Sequence, residues 1–243
     1  MLRGLIFDVD GTLADTESAH RAAFNSAFAQ FGLDWHWDNL LYTELLKVAG
    51  GRERILHYIE RHRPNQGKFE ALGLPKSVNR LFELKTRAYV RSVHDGAVSL
   101  RPGVLNLISE ARAQGLLLAI ATTTSAPNVA ALLSCAMGPD WRKNFAAIGD
   151  GASAPLKKPH PQVYLQVLET LQLAPAQCLA LEDSGNGLRA ASSAGLATLI
   201  TPTRFTAQDD FRAAIRVLPD LNQVDLAQLR AWHAETRHSA STV

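Results

Sequence analysis

Cysteine is nearly missing from this chain: Cys135 and Cys178 are the only two. So small a count excludes a disulfide scaffold, and their separation excludes a zinc site built on paired thiols. Both are expected to be core thiols. An excess of one charge is missing too. The 25 lysines and arginines stand against 23 acids, for a formal charge of +2. That balance offers no footprint for nucleic acid or an anionic membrane, so any affinity for phosphate must come from a local cluster. No apolar run is long enough to span a bilayer. The first residues, MLRGLIFDVD, hold an apolar stretch too short for a secretory signal and broken by acids. These absences point to a cytosolic address, with no nucleic acid or membrane as partner. Internal repeats and low-complexity tracts are absent as well.

What the chain does have is enough apolar residue, 47% of 243, to bury one large core or two modest ones. Leu2 to Phe7, Leu116 to Ala121, Cys178 to Leu181 and Ala197 to Ile200 are short, nearly continuous apolar runs. Such runs mark strands covered on both faces, as in a parallel sheet under helices. Helical patterns over 103–114, 127–135, 161–173 and 187–194 separate them. The alternation predicts a doubly wound, Rossmann-like α/β core. Residues 16–95 differ. Amphipathic segments near 19–31, 39–48, 52–62 and 76–93 enclose no convincing strand, and Pro64, Asn65, Gln66 and Gly67 form a polar break. The expected organisation is a core made of 1–15 and 96–243, with a helical cap inserted as 16–95. The final HSASTV is polar and expected to fray.

The chemistry gathers at strand ends, where ligands bind in open parallel sheets. FDVDGT puts Asp8 and Asp10 two residues apart just past the first strand. Two carboxylates that close repel each other, and a divalent cation would relieve them; magnesium suits oxygen ligands and retains waters that a phosphate can replace. A solvated Asp turn is the alternative for this pair taken alone. Thr122, Thr123, Thr124 and Ser125 follow the second strand at the start of a helical pattern. That is a natural seat for phosphate, or simply an N-cap. Lys158 lies in a proline-stiffened loop, Lys157-Lys158-Pro159-His160-Pro161. A second acid pair, Glu182 and Asp183, follows the third run. Four such groups converging on one mouth of one sheet argue for a site.

This set resembles the haloacid dehalogenase superfamily of phosphotransferases. The likeness is carried by DxDGT at Asp8 to Thr12, Thr122, Lys158, and Glu182 with Asp183, in order along essentially the whole chain. The insertion resembles that family's helical cap of the first type. Asp15 to Glu17, His20 and the GGRERI run at Gly50 to Ile55 are similar to the branch holding β-phosphoglucomutases and CbbY-type sugar phosphatases. Leu33 to Asp38 and Ile120 to Val129 lean toward the latter. The resemblance implies a magnesium-dependent phosphatase acting on a small sugar phosphate, most specifically xylulose 1,5-bisphosphate. Asp8 would be the nucleophile and Asp10 the acid and base, with Thr122 and Lys158 binding the phosphoryl group. Asp8, the Asp10 carbonyl and Asp183 would hold the metal, with Glu182 as an outer acid or further ligand. Candidate substrate contacts are Glu17, His20, Gly51, Arg52, Arg54, Lys85, Thr122, Thr123 and Lys158, with Arg101 a further cation near the hinge. Trp35 and Trp37 either pack the cap or face the substrate. A monomer is expected. Two rival readings are a sugar-phosphate mutase and a non-catalytic binding protein on the same fold. Against the mutase, TTTSAPN lacks the Ser-Lys-Asn that the mutase branch carries there; against the binding protein, every acid and the lysine are present.

Overall fold

The computed structural model describes residues 1–65, 69 and 72–239. Six parallel strands form one sheet in the order β3-β2-β1-β4-β5-β6. They are β1 Gly4–Phe7, β2 Leu117–Ala121, β3 Ala147–Gly149, β4 Cys178–Glu182, β5 Ala197–Ile200 and β6 Arg216–Val217. The helices are α1 Glu17–Phe31, α2 Asn39–Leu45, α3 Gly51–His62, α4 Leu74–His94 and α5 Val104–Ala113. After them come α6 Ala126–Met137, α7 Gln162–Leu171, α8 Gly185–Ser193 and α9 Leu226–Ser239.

Alternation along the central strands splits the core in two, because successive strand residues face opposite sides. Leu5, Phe7, Leu118, Ile120, Leu179 and Leu181 join Leu107, Val129 and Leu229 of α5, α6 and α9. Ile6, Ala119, Ala121 and Ala180 join Val163, Val167 and Ala190 of α7 and α8. The second side uses small residues on its strands, which lets α7 and α8 sit close. Burial on both faces is the reason these runs lack the alternation of a half-exposed strand. The strands β3 and β6 fall outside the expected set of four, since three and two residues are too short to stand out as such a run.

Helices α1 to α4 have a hydrophobic cluster of their own. Phe24, Phe28, Trp35, Trp37, Tyr42 and Tyr58 pack edge-on or tilted within it. Trp35 and Trp37 are therefore packing residues. The chain leaves the sheet and returns to it side by side: Ala14 pairs antiparallel with Leu100, and Arg101 N–H donates to the Leu13 carbonyl at 2.8 Å. Cys178 is buried, but Cys135 is exposed, because it sits on the outer side of α6. Of the expected polar break, Gln66 and Gly67 lie outside the described residues. The helix α9 runs through Ser239, so helix replaces the fraying expected from His238, and residues 240–243 are outside the described set. Among the described residues, no helix is long and apolar enough to cross a membrane.

Candidate active site

Asp8 leaves the end of β1, Thr122 the end of β2 and Asp183 the end of β4, so parallel register alone brings them to one edge. Lys158 arrives from the loop before α7 and is 6% exposed. Its ammonium donates to Asp8 Oδ1 at 2.6 Å, to Glu182 Oε1 at 2.6 Å and to the Ala121 carbonyl at 2.8 Å. Tyr164 of α7 donates its hydroxyl to the same Glu182 oxygen at 2.6 Å. Glu182 is thus taken up in holding Lys158. Asp183 is left with one long hydrogen bond, 3.3 Å from the Thr206 hydroxyl. Two glycines make room for the acids. Gly11 turns with φ +85°, and a Cβ there would strike the Asp183 carboxylate; a Cβ at Gly187 would strike that of Glu182.

Oxygens of Asp8, Glu182 and Asp183 lie within 4.8 Å of one another, and all three residues are buried. One ammonium is bonded to two of these three carboxyls, so with all three ionised two negative charges would be left uncompensated. Burial pushes the Asp8 and Asp183 carboxyls well up, the neighbouring acids push them further, and Lys158 only partly resists. An all-oxygen donor set with that charge deficit suits a hard divalent cation.

Asp10 faces the same cavity but bonds to the helical side. Its Oδ1 accepts from the Thr16 hydroxyl at 2.6 Å and from His20 Nε2 at 2.9 Å. Lys85 Nζ lies 2.8 Å from His20 Nδ1. An ammonium can only donate, so Nδ1 accepts and the ring proton sits on Nε2, aimed at Asp10. Tyr89 stacks on the His20 ring at 4.0 Å and holds its plane. Burial pushes the Asp10 carboxyl up, but His20 and the two hydrogen bonds outweigh it and hold it below the carboxylate range. Burial, then Lys85, pulls His20 down, which favours the neutral ring.

A cavity of about 670 Å³ joins these groups. Asp8, Asp10, Lys158 and Asp183 line it on the sheet side, and Glu17, His20, Gly51, Arg54 and Lys85 on the helical side. Thr122 is buried at the lip and accepts from Thr124 N–H at 3.2 Å; Thr123, Ser125 and Asn128 continue that wall. Among the sequence candidates, Arg52 and Arg101 stand apart. Arg52 is exposed, donates to Asn79 at 2.9 Å and covers the Phe82 ring, while Arg54 two residues on points inward. Arg101 is a clamp: its guanidinium donates to the carbonyls of Gly11, Thr201, Pro202 and Pro219. Sequence reasoning missed Thr16, Tyr164 and Thr206. Tyr164 has one faint signal, a hydroxyl on the otherwise apolar face of α7; Thr206 has none.

Lys85 makes a measurable cost of this arrangement. Burial pulls its ammonium down to about 8, with Arg54 adding to the fall and Asp10 and Glu17 opposing it. A folded pKa below the unfolded one means that the unfolded chain binds more protons between about pH 8 and 10.5, so stability rises with pH across that window. Urea unfolding should show this rise, on the order of 3 kcal/mol, and Lys85→Met should remove it. An equal rise in both proteins would take the buried ammonium out of the account.

Residues 2–195 match the family described as haloacid dehalogenase-like hydrolase. The chain is 51% identical to the plasmid-borne protein CbbY of Cupriavidus necator, over 97% of this chain and 98% of that one. Among solved structures it is similar to CbbY from Rhodobacter sphaeroides in complex with phosphate. The identity there is 41%, with a TM-score of 0.88 over 95% of this chain and 100% of that one. A mutant of the same protein in complex with xylulose 1,5-bisphosphate gives 40% identity and 0.88, over 94% of this chain and 99% of that one.

Proposed function

The chain belongs to the haloacid dehalogenase-like hydrolases, and from that membership we propose that it is a magnesium-dependent phosphatase of xylulose 1,5-bisphosphate, releasing inorganic phosphate and xylulose 5-phosphate. The observation that carries the reaction is the cluster of Asp8, Glu182 and Asp183, with Lys158 bonded to the first two, beside a cavity that Asp8, Lys158 and Asp183 line and that is large enough for a sugar bisphosphate. The sugar rests on the relatives, one of which is bound to that compound.

In this reading an Asp8 oxygen attacks phosphorus and the bond from phosphorus to the sugar oxygen breaks. Asp10 gives its proton to that oxygen, leaving an aspartyl-phosphate on Asp8. Water then attacks the same phosphorus, the Asp8–phosphorus bond breaks, and Asp10 takes the water's proton. The hydrogen bonds from Thr16 and His20 favour the ionised Asp10 that the second step needs. For the first step, the charge of an incoming phosphate raises its proton affinity. Lys158 and the Thr122 hydroxyl bind the equatorial oxygens. Asp8, Asp183 and the Asp10 carbonyl would hold magnesium, with Glu182 behind them keeping Lys158 in place. When bound, the metal supplies positive charge that offsets repulsion between carboxylate and phosphate. Helices α1 to α4 act as a cap that brings Glu17, His20, Arg54 and Lys85 against the sugar and excludes water from the first attack.

The test is phosphate release from xylulose 1,5-bisphosphate, from other sugar mono- and bisphosphates, and from the substrate plus a chelator. Highest kcat/KM on xylulose 1,5-bisphosphate, lost with EDTA and restored by magnesium, is expected. Conversion of β-glucose 1-phosphate to glucose 6-phosphate with a bisphosphate primer would instead identify a mutase.

A further inference from the structure

The loop after β5 stitches the metal-facing acid to the helical unit. Its start is pinned where Arg101 donates to the carbonyls of Thr201 at 2.5 Å and Pro202 at 3.2 Å. Its end is pinned where Asp209 accepts from Gly185 N–H at 2.8 Å, beside the acid pair. Between them the chain closes a tight turn, with Thr206 N–H donating to the Thr203 carbonyl at 3.1 Å. Thr203 N–H donates to Thr206 Oγ1 at 2.9 Å; the Thr206 hydroxyl donates to Asp183 Oδ2 at 3.3 Å, and the Thr203 hydroxyl, also 3.3 Å from Thr206 Oγ1, can donate to it in turn.

The neighbouring residue faces the other way. Phe205 is 8% exposed and sits in the aromatic cluster of the helical unit, although it comes from the sheet side of the chain. Its ring meets Tyr42 of α2 edge-on at 6.1 Å. Tyr42 in turn donates to Glu17 at 2.7 Å. Arg204 lies over the Phe205 ring and donates to the Ser18 hydroxyl on α1 at 2.6 Å. A residue buried in one unit and a residue bonded to Asp183 are thus adjacent in a short, doubly pinned turn.

We propose that Thr203–Thr206 is a strap: Thr206 is a positioning residue for Asp183, and Phe205 makes that positioning depend on the helical unit being seated on the sheet. The inference rests on the metal-dependent reading above and adds a coupling to it. Partners that orient a metal-ligating carboxylate are typically worth 10- to 100-fold in metal affinity. Coupling between two sites is reciprocal, so metal bound at Asp183 must also favour the seated helices.

Calorimetric titration of the full chain with magnesium alone provides the test, since it needs no substrate and no turnover. Thr206→Val should weaken magnesium binding about tenfold, and Thr206→Ser should restore it to within about twofold. Phe205→Ala touches no acid, yet it should weaken binding several-fold. A Thr206→Val protein that binds magnesium as the unsubstituted chain does overturns the positioning role. Unchanged binding in Phe205→Ala overturns the coupling. Should either variant fail to fold, amide exchange of the unsubstituted chain decides: magnesium should slow exchange in α2, and no change there defeats the strap. Failure of the unsubstituted chain to take up magnesium at millimolar concentration sinks the metal reading itself, which is a different result from any of these.

Discussion

Asparagine in place of Asp8 should leave the protein folded and stop phosphate release. The amide is nearly the same size and its oxygen can still accept from Lys158, which donates to Asp8 Oδ1 at 2.6 Å. What it lacks is the negative charge that the proposed nucleophile needs. Removing the nucleophile from an enzyme that works through a covalent intermediate costs on the order of 10⁴-fold or more in kcat. Stability should change little or improve. Asp8 is a buried carboxyl pushed well up by burial and by Glu182 and Asp10, so its ionised form is poorly accommodated in the metal-free fold. Phosphate release and thermal unfolding, measured on one preparation, separate the two effects. Turnover within tenfold of the unsubstituted chain, in a folded Asp8→Asn protein, would end the covalent mechanism.

Lys158→Met should have the second largest effect, and on both properties. The ammonium compensates two carboxylates at 2.6 Å each, in a place where all three residues are almost fully covered. Burial pulls its pKa down, yet Asp8 and Glu182 outweigh that and hold it above the ordinary lysine range. Breaking a buried ion pair from one side typically costs about 3–5 kcal/mol, because the partner charges stay buried. The sign of the pH dependence follows from the acids left behind. Asp8, pushed up by burial, would lose the ammonium that partly resists, so the folded chain binds more protons than the unfolded one above about pH 4. Stability is then present at low pH and lost as pH rises. Urea unfolding in a chelator should show the variant much weaker than the unsubstituted chain at pH 7.5 and closer to it at pH 5. Turnover should fall about 10²- to 10³-fold, the usual effect of losing a group that stabilises charge in the transition state. Equal stability of the two proteins at pH 7.5 would mean that Lys158 is not what neutralises the cluster.

The two experiments address opposite ends of one arrangement. Asp8 is bonded to the sheet side, through Lys158, and Asp10 to the helical side, through Thr16 and His20. In the proposed mechanism the nucleophile would therefore be held by the sheet side. The proposed acid and base would be held by the helical side, a division that would suit an enzyme in which closure completes the site.

How much of this was legible along the chain depends on the range of the interactions. Runs such as LIF and LLLAIA announce parallel strands because burial on both faces leaves a local mark. Acids and hydroxyls directly after such runs, and a lysine just before a helix, announce a site, because parallel strands deliver their ends to the same edge. The three residues of β3 and two of β6 leave no such mark. Choosing between Arg52 and Arg54 needed the helix phase. Two residues apart on α3 is about 200° around the axis, so one faces outward when the other faces in.

Residue order by itself determined the four central strands and the candidate set: Asp8, Asp10, Thr122, Lys158, Glu182 and Asp183 each stand beside a strand or helix end that places them. Tertiary structure alone decided who holds them. Tyr164 on Glu182, Thr206 on Asp183, Lys85 on His20 and Arg101 on Gly11 are pairs 18, 23, 65 and 90 residues apart. No periodicity connects such partners. They meet because separate hydrophobic faces dock, and docking sets distances that no stretch of sequence contains.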